Sequence, residues 1–369
     1  MKTLNIAIIG QGSMGRAHSN AYHQVNHFFE TPYELRLKVI CGRSQAGLEK
    51  MAATWGWQDI STDWRSVIER KDIDIIDVAT PNWLHAEMSI AAAEAGKIVL
   101  CEKPLAVSVE QAVRMVKAAK RVRNMVWFNY RRVPAIAFTR RLIDEGRIGD
   151  VFHYRATYLQ EWGNDPTRPP GWKLQKSDAG SGVLGDLLSH LIDTALYLNG
   201  PITEAAGMMH TFAPGREVDD ATLSLARFAN GSVGSFEATR YAVGCKNRNA
   251  FEIHGSKGMV RFDLEDLNRL EFLDATDARN VQGARHLLVT GPDQPYAANF
   301  WKPGHIIGYE HTFIAALADF LAALEGGKPF HPNFEDGLAV QQVLAAVESS
   351  AQSGAGFQPV ASFQPAAYR

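Results

Sequence analysis

The apolar run Leu4-Asn5-Ile6-Ala7-Ile8-Ile9 leads directly into Gly10-Gln11-Gly12-Ser13-Met14-Gly15, and a helical stretch follows. This order of strand, glycine loop and helix constrains the fold more than any other feature of the chain. Gly10 permits the tight turn, Gly12 lets the backbone approach a ligand, and Gly15 lets the helix pack on the strand. The alternation then repeats. Short apolar runs at 35–41, 73–79, 97–101 and 125–128 read as strands. Helical stretches such as 85–95 and 109–120 lie between them, the latter opened by Ser108 as N-cap with Gln111 three residues on. Strands that are apolar throughout, alternating with helices, imply a doubly wound parallel sheet covered on both faces. Residues 1–128 are expected to form this α/β domain.

Residues 129–369 follow a different pattern. Segments 151–162, 221–229, 232–241, 248–254 and 259–264 are strand-like and close together in sequence. Asn230-Gly231 signals a hairpin, since both turn positions tolerate positive φ, and Gly255-Ser256-Lys257-Gly258 joins the next pair. This half is expected to be an α+β domain with a large, mostly antiparallel open sheet. Helices at 187–198 and 309–324 are expected to cover one face. The other carries Ser, Thr, Ala and Gly among its apolar residues, which suits a subunit interface. Residues 163–177, rich in Pro, Arg and Trp, read as a long loop of the kind that is often functional.

At 369 residues the chain exceeds one average domain, which agrees with two. A net charge of −2 supplies no basic field, so neither nucleic acid nor an anionic membrane is expected as partner. The three cysteines, Cys41, Cys101 and Cys245, show no CxxC pair and no metal-ligand spacing. No metal is expected, and the usage fits a reducing cytoplasm. No run approaches the roughly 18 apolar residues of a membrane span. The apolar start runs into glycines without the cleavage site of a secretory signal.

Parallel sheets bind ligands outside the carboxyl ends of their strands, so the strand exits carry the candidate residues. Gly10 to Gly15, with the helix N-terminus behind them, suit a dinucleotide pyrophosphate. The second strand ends Cys41-Gly42-Arg43-Ser44, with Gly42 where an acid reading an NAD ribose would stand. Arg43-Ser44 suits a 2′-phosphate, while Arg43 suits adenine stacking or plain solvation equally. Thr80-Pro81-Asn82, with His85 just beyond, either lines the cofactor crevice or is an ordinary strand exit with Asn82 as a cap. Lys103, in Glu102-Lys103-Pro104, puts one ammonium at the next strand exit, beside the place of a nicotinamide ring. In the second half, Gly180-Ser181-Gly182-Val183-Leu184-Gly185-Asp186 leads to His190. Asp186 and His190 are i, i+4 and share a helix face, with Asp193 nearly on it, and the glycines before them allow close backbone approach. On a strand, Tyr158, Gln160 and Trp162 alternate onto one face. With Tyr130, Arg131, Trp172 and Lys173 they suit a polar, aromatic sugar pocket, although each tryptophan also suits a core.

Together these residues resemble the Gfo/Idh/MocA oxidoreductases, the glucose–fructose oxidoreductase and inositol dehydrogenase family. The motifs that carry the likeness are Gly10–Gly15, Thr80-Pro81, Glu102-Lys103-Pro104, and then Gly180, Gly182, Asp186 and His190 in order. Asn129-Tyr130-Arg131-Arg132-Val133-Pro134-Ala135, Tyr158-Leu159-Gln160-Glu161-Trp162, Phe228-Ala229-Asn230-Gly231 and residues 304–309 resemble its levoglucosan dehydrogenase branch. The resemblance implies a Rossmann domain, a C-terminal domain with a large open sheet, and a homo-oligomer, dimer or tetramer, formed through that sheet. It implies NAD as cofactor, against the weaker NADP indication of Arg43-Ser44. The implied cofactor contacts are Gly10, Gln11, Gly12, Ser13, Met14, Gly15, Gly42, Arg43, Ser44, Thr80, Pro81, Asn82, His85, Glu102, Lys103 and Asn129. Lys103, Asp186 and His190 are implied to be catalytic and to touch the substrate.

The expected reaction is oxidation of a ring hydroxyl of a cyclic sugar, anhydrosugar or inositol, with Lys103 polarising the oxygen and His190 taking its proton. Rival readings on the same scaffold are a non-enzymatic dinucleotide-binding sugar sensor, a glycosidase with tightly held NAD, and a reductase of planar or acyclic substrates. A sensor needs no catalytic lysine or base, so an intact Lys103, Asp186 and His190 favours the dehydrogenase.

Overall fold

The structure, a computed structural model, describes residues 2–361 except 166 and 168–170. The chain divides into two compact units, one comprising residues up to Arg132 with Gly308–Leu338, the other Val133–Ile307 with the segment from Ala339 onward.

In the first unit six strands, β1 (Lys2–Ile9), β2 (Tyr33–Cys41), β3 (Asp59–Ser61), β4 (Ile75–Val78), β5 (Ile98–Cys101) and β6 (Asn124–Val126), form one sheet in the order β3-β2-β1-β4-β5-β6. All neighbours are parallel. The order reverses between β1 and β4, the switch point where such sheets bind ligands. Ile6, Ala7, Ile8, Ile75, Ile76, Val99 and Leu100 are fully enclosed, as strands covered on both faces require. Five helices alternate with the strands: α1 (Ser13–Phe28), α2 (Gln45–Trp55), α3 (Trp64–Glu69), α4 (His85–Glu94) and α5 (Val109–Ala118). Ser108 caps α5 by accepting a hydrogen bond from Gln111 N. β3 is three residues long and polar at both ends, so no apolar run announced it.

The division differs from the contiguous split expected after residue 128. The helix Tyr309–Glu325 packs against α1 rather than on the antiparallel sheet. Its 3.6-residue periodicity shows an apolar face but not which unit that face meets.

In the second unit nine strands, β7 (Val151–Leu159), β8 (Ile202–His210), β9 (Ala221–Phe228), β10 (Val233–Thr239), β11 (Arg248–Gly255), β12 (Gly258–Asp263), β13 (Arg269–Asp274), β14 (Arg285–Leu288) and β15 (Gln358–Pro359), form a sheet in the order β14-β13-β12-β11-β7-β10-β9-β8-β15. Every neighbouring pair is antiparallel except β7 with β10. In the turn between β9 and β10 only Gly231 adopts positive φ, at 87°. Asn230 instead accepts from Ser232 N and donates to Asn199, which holds the turn. Strict alternation separates the faces. Thr222, Ser224, Ala226 and Phe228 are buried, while Leu223 and Leu225 of the same strand are 43% and 52% exposed. Helices Pro134–Asp144 and Ser189–Asn199 lie against the buried face.

Candidate active site

The glycine loop has the geometry that its spacing predicts. Gly10 has φ of 141°, and a Cβ there would lie 2.1 Å from Ala79 O. At Gly12, by contrast, a Cβ would meet nothing within 4 Å, which leaves open space in front of the α1 N-terminus. Gln11 points the other way. Its side-chain Oε1 accepts from Ser44 N at 3.0 Å and its Nε2 donates to Ser44 O at 3.2 Å, so one amide pairs with both backbone groups of Ser44 in the β2–α2 loop. A Cβ at Gly42 would lie 2.2 Å from Gln11 Oε1. The Gln11 amide thus fills the volume an acid at the end of β2 would need. Ser44 Oγ caps α2 by accepting from Gly47 N, while Arg43 is exposed. Thr80 Oγ1 is buried with no hydrogen-bond partner among the described residues, as a ligand-facing hydroxyl would be. Open space at Gly12 and this spare hydroxyl fit a dinucleotide at the strand exits.

Lys103 follows β5 and is half-buried in a densely bonded turn. Glu102 is 5% exposed; its Oε2 accepts from Lys103 N at 3.1 Å and its Oε1 faces His18 Nε2 at 3.0 Å. His85, expected at the cofactor, is fully enclosed. Its Nδ1 lies 2.9 Å from Pro104 O and its Nε2 3.0 Å from Thr80 O. Burial lowers its pKa, with the two carbonyls pulling the other way. Asn129 is also buried and donates to Thr312 Oγ1 at 2.7 Å. Pro81 and Asn82 form the short helical turn that opens α4, with Asn82 6% exposed. Tyr130 packs edge-on against Tyr309, with centroids 6.3 Å apart, and Arg131 pairs with Asp336 at 3.5 Å.

In the second unit the glycine-rich segment is tied down by an aspartate the sequence did not single out. Asp219 accepts from Gly182 N at 2.6 Å, Leu184 N at 2.8 Å and Thr222 Oγ1 at 2.9 Å. A Cβ at Gly182 would lie 1.8 Å from Asp219 O, so only glycine fits. The continuous α-helix expected across Asp186 and His190 is replaced by a π-helical turn, Leu184–Leu188, running into helix Ser189–Asn199. π-Helical turns are frequent at functional sites. Asp186 accepts from Lys173 Nζ at 3.1 Å on each oxygen and from Arg240 Nη2 at 3.1 Å. Trp172 lies beside that lysine, its ring centroid 5.8 Å from Nζ. His190 is 6% exposed, and the Tyr158 ring packs on it at 5.9 Å.

β7 stops at Leu159, short of the expected 162, and Trp162 begins a helical turn. The three β7-exit residues remain linked. Tyr158 Oη donates to Asn247 Oδ1 at 3.0 Å, Gln160 Nε2 donates to the same oxygen at 2.7 Å, and Trp162 Nε1 donates to Gln160 Oε1. Arg240 is fully enclosed with its guanidinium 4.6 Å above the Trp162 ring. Sequence reasoning missed Arg240 and Asn247 because the first ends an expected strand and the second lies in the loop after it, with no motif around either. His18 and Asp77 did leave a signal, an acid inside the apolar strand Ile75–Val78. Among the described residues no group of three or more His, Cys, Asp or Glu could hold a metal ion, and no helix is long and apolar enough to cross a membrane.

Residues 4–130 match GFO_IDH_MocA, an oxidoreductase family with an NAD-binding Rossmann fold. Residues 136–261 match the GFO/IDH/MocA C-terminal domain. The chain is 41% identical to levoglucosan dehydrogenase of Pseudarthrobacter phenanthrenivorans, an alignment covering 95% of this chain and 97% of that protein. A structure of levoglucosan dehydrogenase in complex with NADH and levoglucosan superposes with a TM-score of 0.95 at 42% identity, over 98% of this chain and 100% of that one. An oxidoreductase domain protein from Kribbella flavida does so with a TM-score of 0.95 at 45% identity, over the same 98% and 100%.

Proposed function

Because the chain belongs to the Gfo/Idh/MocA oxidoreductases, we propose that it is an NAD-dependent dehydrogenase acting on a ring hydroxyl of a cyclic sugar, a levoglucosan-like anhydrosugar or an inositol. The observation that carries this reading is the cluster around Asp186. There a carboxylate shared by Lys173 and Arg240 lies one turn before His190, in the unit that also holds the Tyr158, Gln160 and Trp162 network. A sugar offers hydroxyls that need both donors and acceptors, and ring faces that suit aromatic surfaces.

The Gly10–Gly15 loop, the loop locked by Gln11, and Thr80 would hold NAD, with NADP tolerated because Gly42 supplies no acid to repel a 2′-phosphate. When bound, NAD supplies the acceptor for the hydride leaving the hydroxyl-bearing carbon. The protein's own share is proton and charge management. Lys103 donates a hydrogen bond from Nζ to the hydroxyl oxygen and stabilises the negative charge that develops there, a contribution of about 3 kcal/mol. His190 accepts the hydroxyl proton, a general-base role for which an imidazole is suited. Asp186 accepts from a neighbouring substrate hydroxyl and orients the ring. In the second unit, the open sheet face forms a groove of about 710 Å³ and exposes Met208, Leu223, Leu225 and Val233. It serves as the contact of a homo-oligomer, dimer or tetramer, in a cytoplasmic enzyme.

The test is a spectrophotometric screen of levoglucosan, myo-inositol, D-glucose and simple glycosides with NAD and NADP separately. Reduction of NAD by at least one of them is expected, together with its loss in Lys103→Ala. Aglycone release without net NADH, or no turnover at all, would sink the reading.

A further inference from the structure

The most enclosed charged cluster of the first unit lies directly behind Lys103 and takes no part in the chemistry assigned above. His18, on α1, is fully buried. Its Nδ1 lies 2.8 Å from Asp77 Oδ2 on β4, and its Nε2 lies 3.0 Å from Glu102 Oε1 at the end of β5. A neutral imidazole has one N–H and one lone pair, so it cannot satisfy two carboxylates at those distances. A proton on Glu102 Oε1 would serve the same contact, but imidazole is a stronger base than a carboxylate by about two pKa units, so the shared proton is assigned to His18. Asp77 also accepts from Tyr22 Oη at 2.7 Å and from Trp127 Nε1 at 3.0 Å, and Glu102 accepts from Lys103 N at 3.1 Å.

The surroundings fit a cation. Trp127 stacks on the His18 ring at 4.2 Å and 26°, and Phe313 of the helix Tyr309–Glu325 packs at 5.5 Å. Burial works against the charge, but Asp77 and Glu102 more than offset it, and the His18 pKa is pushed up to about 9. Asp77 and Glu102 are 0% and 5% exposed, and two such carboxylates are tolerated only when paired and hydrogen-bonded. The chain of contacts then runs outward. Imidazolium holds one oxygen of Glu102, and the other oxygen holds the backbone N–H of Lys103.

We propose that His18, as an imidazolium bridging Asp77 and Glu102, is a positioning residue that fixes the Glu102 carboxylate and through it the direction in which Lys103 leaves β5. The proposal rests on the reading of Lys103 as catalytic, and it assigns a purpose to His18 and Asp77, buried residues with no role in the proposed function. Lys103 owes its place to three adjoining elements, α1, β4 and β5, rather than to its own loop.

Nitrogen-15 NMR of histidine-labelled protein tests the charge without any substitution. Both His18 ring nitrogens are expected in the imidazolium range at pH 7.5, and a neutral signature overturns the proposal. Kinetics with NAD and the fastest sugar of the screen (levoglucosan, myo-inositol or D-glucose) test the role. His18→Gln should lower kcat roughly 10- to 100-fold, the scale of a misplaced catalytic group, with NADH affinity by fluorescence within about two-fold. His18→Gln combined with Lys103→Ala should be no slower than Lys103→Ala alone, because the anchor acts only through the lysine. An unchanged kcat in His18→Gln, or losses that multiply in the double variant, overturns the proposal while leaving catalytic Lys103 intact. The parent reading fails differently, by retained turnover in Lys103→Ala itself, and that outcome takes the positioning role with it.

Discussion

The two units surround their functional charges in contrasting ways. In the first, His18, Asp77, Glu102 and His85 are between 0% and 5% exposed, and each of their ring nitrogens and both carboxylates face a partner inside the unit. In the second, the Asp186 side chain is 15% exposed and Lys173 44%. Arg240 there keeps Nε and Nη1 buried without a hydrogen-bond partner among the described residues. A closed network is arranged before any ligand arrives, which is what a group that must meet developing charge requires. A network with spare donors and an exposed lysine retains hydrogen-bonding capacity for a substrate. The first unit is therefore read as fixing the group that meets developing charge, and the second as choosing the molecule around its base, His190.

The sharpest way to break that contrast is to remove the two groups assigned to chemistry. Lys103→Ala should reduce kcat by roughly 100- to 1,000-fold, the scale of a lost oxyanion donor, with NADH binding retained by fluorescence titration. His190→Ala should reduce it by about 100-fold or more and abolish the acid limb of the kcat/KM–pH profile. An acid limb that survives in His190→Ala would assign the base elsewhere and return the second unit to binding alone.

Arg240 offers an intermediate effect. Its guanidinium holds Asp186 on one side and stacks on Trp162 on the other, so Arg240→Met removes one of the cations that hold a half-buried carboxylate. KM should rise about 10-fold with a smaller change in kcat, as expected for a lost charge-assisted hydrogen bond. Arg240→Lys should not restore it, since an ammonium cannot stack and bond in the same fork geometry. A fall in kcat with KM unchanged would move Arg240 from selection to catalysis.

The parallel sheet was legible because its strands are apolar on both faces and its glycines sit at the first turn. Which unit the helix Tyr309–Glu325 joins was not, because an apolar stripe records that a helix is buried and not against what. At the site, Lys103 and Asp186 stood out through Glu-Lys-Pro and the glycine-rich entry, both local signals. Arg240, Asn247 and Asp219 reach Asp186, Tyr158 and Gly182 across dozens of residues, so no spacing reveals them. His18 and Asp77 lie between these cases. An acid inside the apolar strand Ile75–Val78 must be paired to be stable, yet the sequence does not say that its partner is a histidine on α1.

The remaining expected effect concerns that partner. A histidine whose folded pKa is about 9 keeps its proton while the unfolded chain loses it near ~6.5. His18 therefore contributes stability fully below about pH 6.5, and that contribution drains away as pH rises through 9. Burial also pushes the thiols of Cys41 and Cys101 up, but their unfolded counterparts begin to ionise only near ~8.5, so they add nothing below that. Burial lowers His85, which acts below pH 6.5 and with the opposite sign. His331 is raised by its hydrogen bond to Asp336, but its side chain is 58% exposed and solvent screens the pair. Between pH 6.5 and 8.5, then, urea midpoints of the wild-type protein should decline with pH, and those of His18→Gln should decline distinctly less. Parallel slopes in the two proteins would mean that the bridge carries no charge, and the closed character of the first unit would then rest on shape alone.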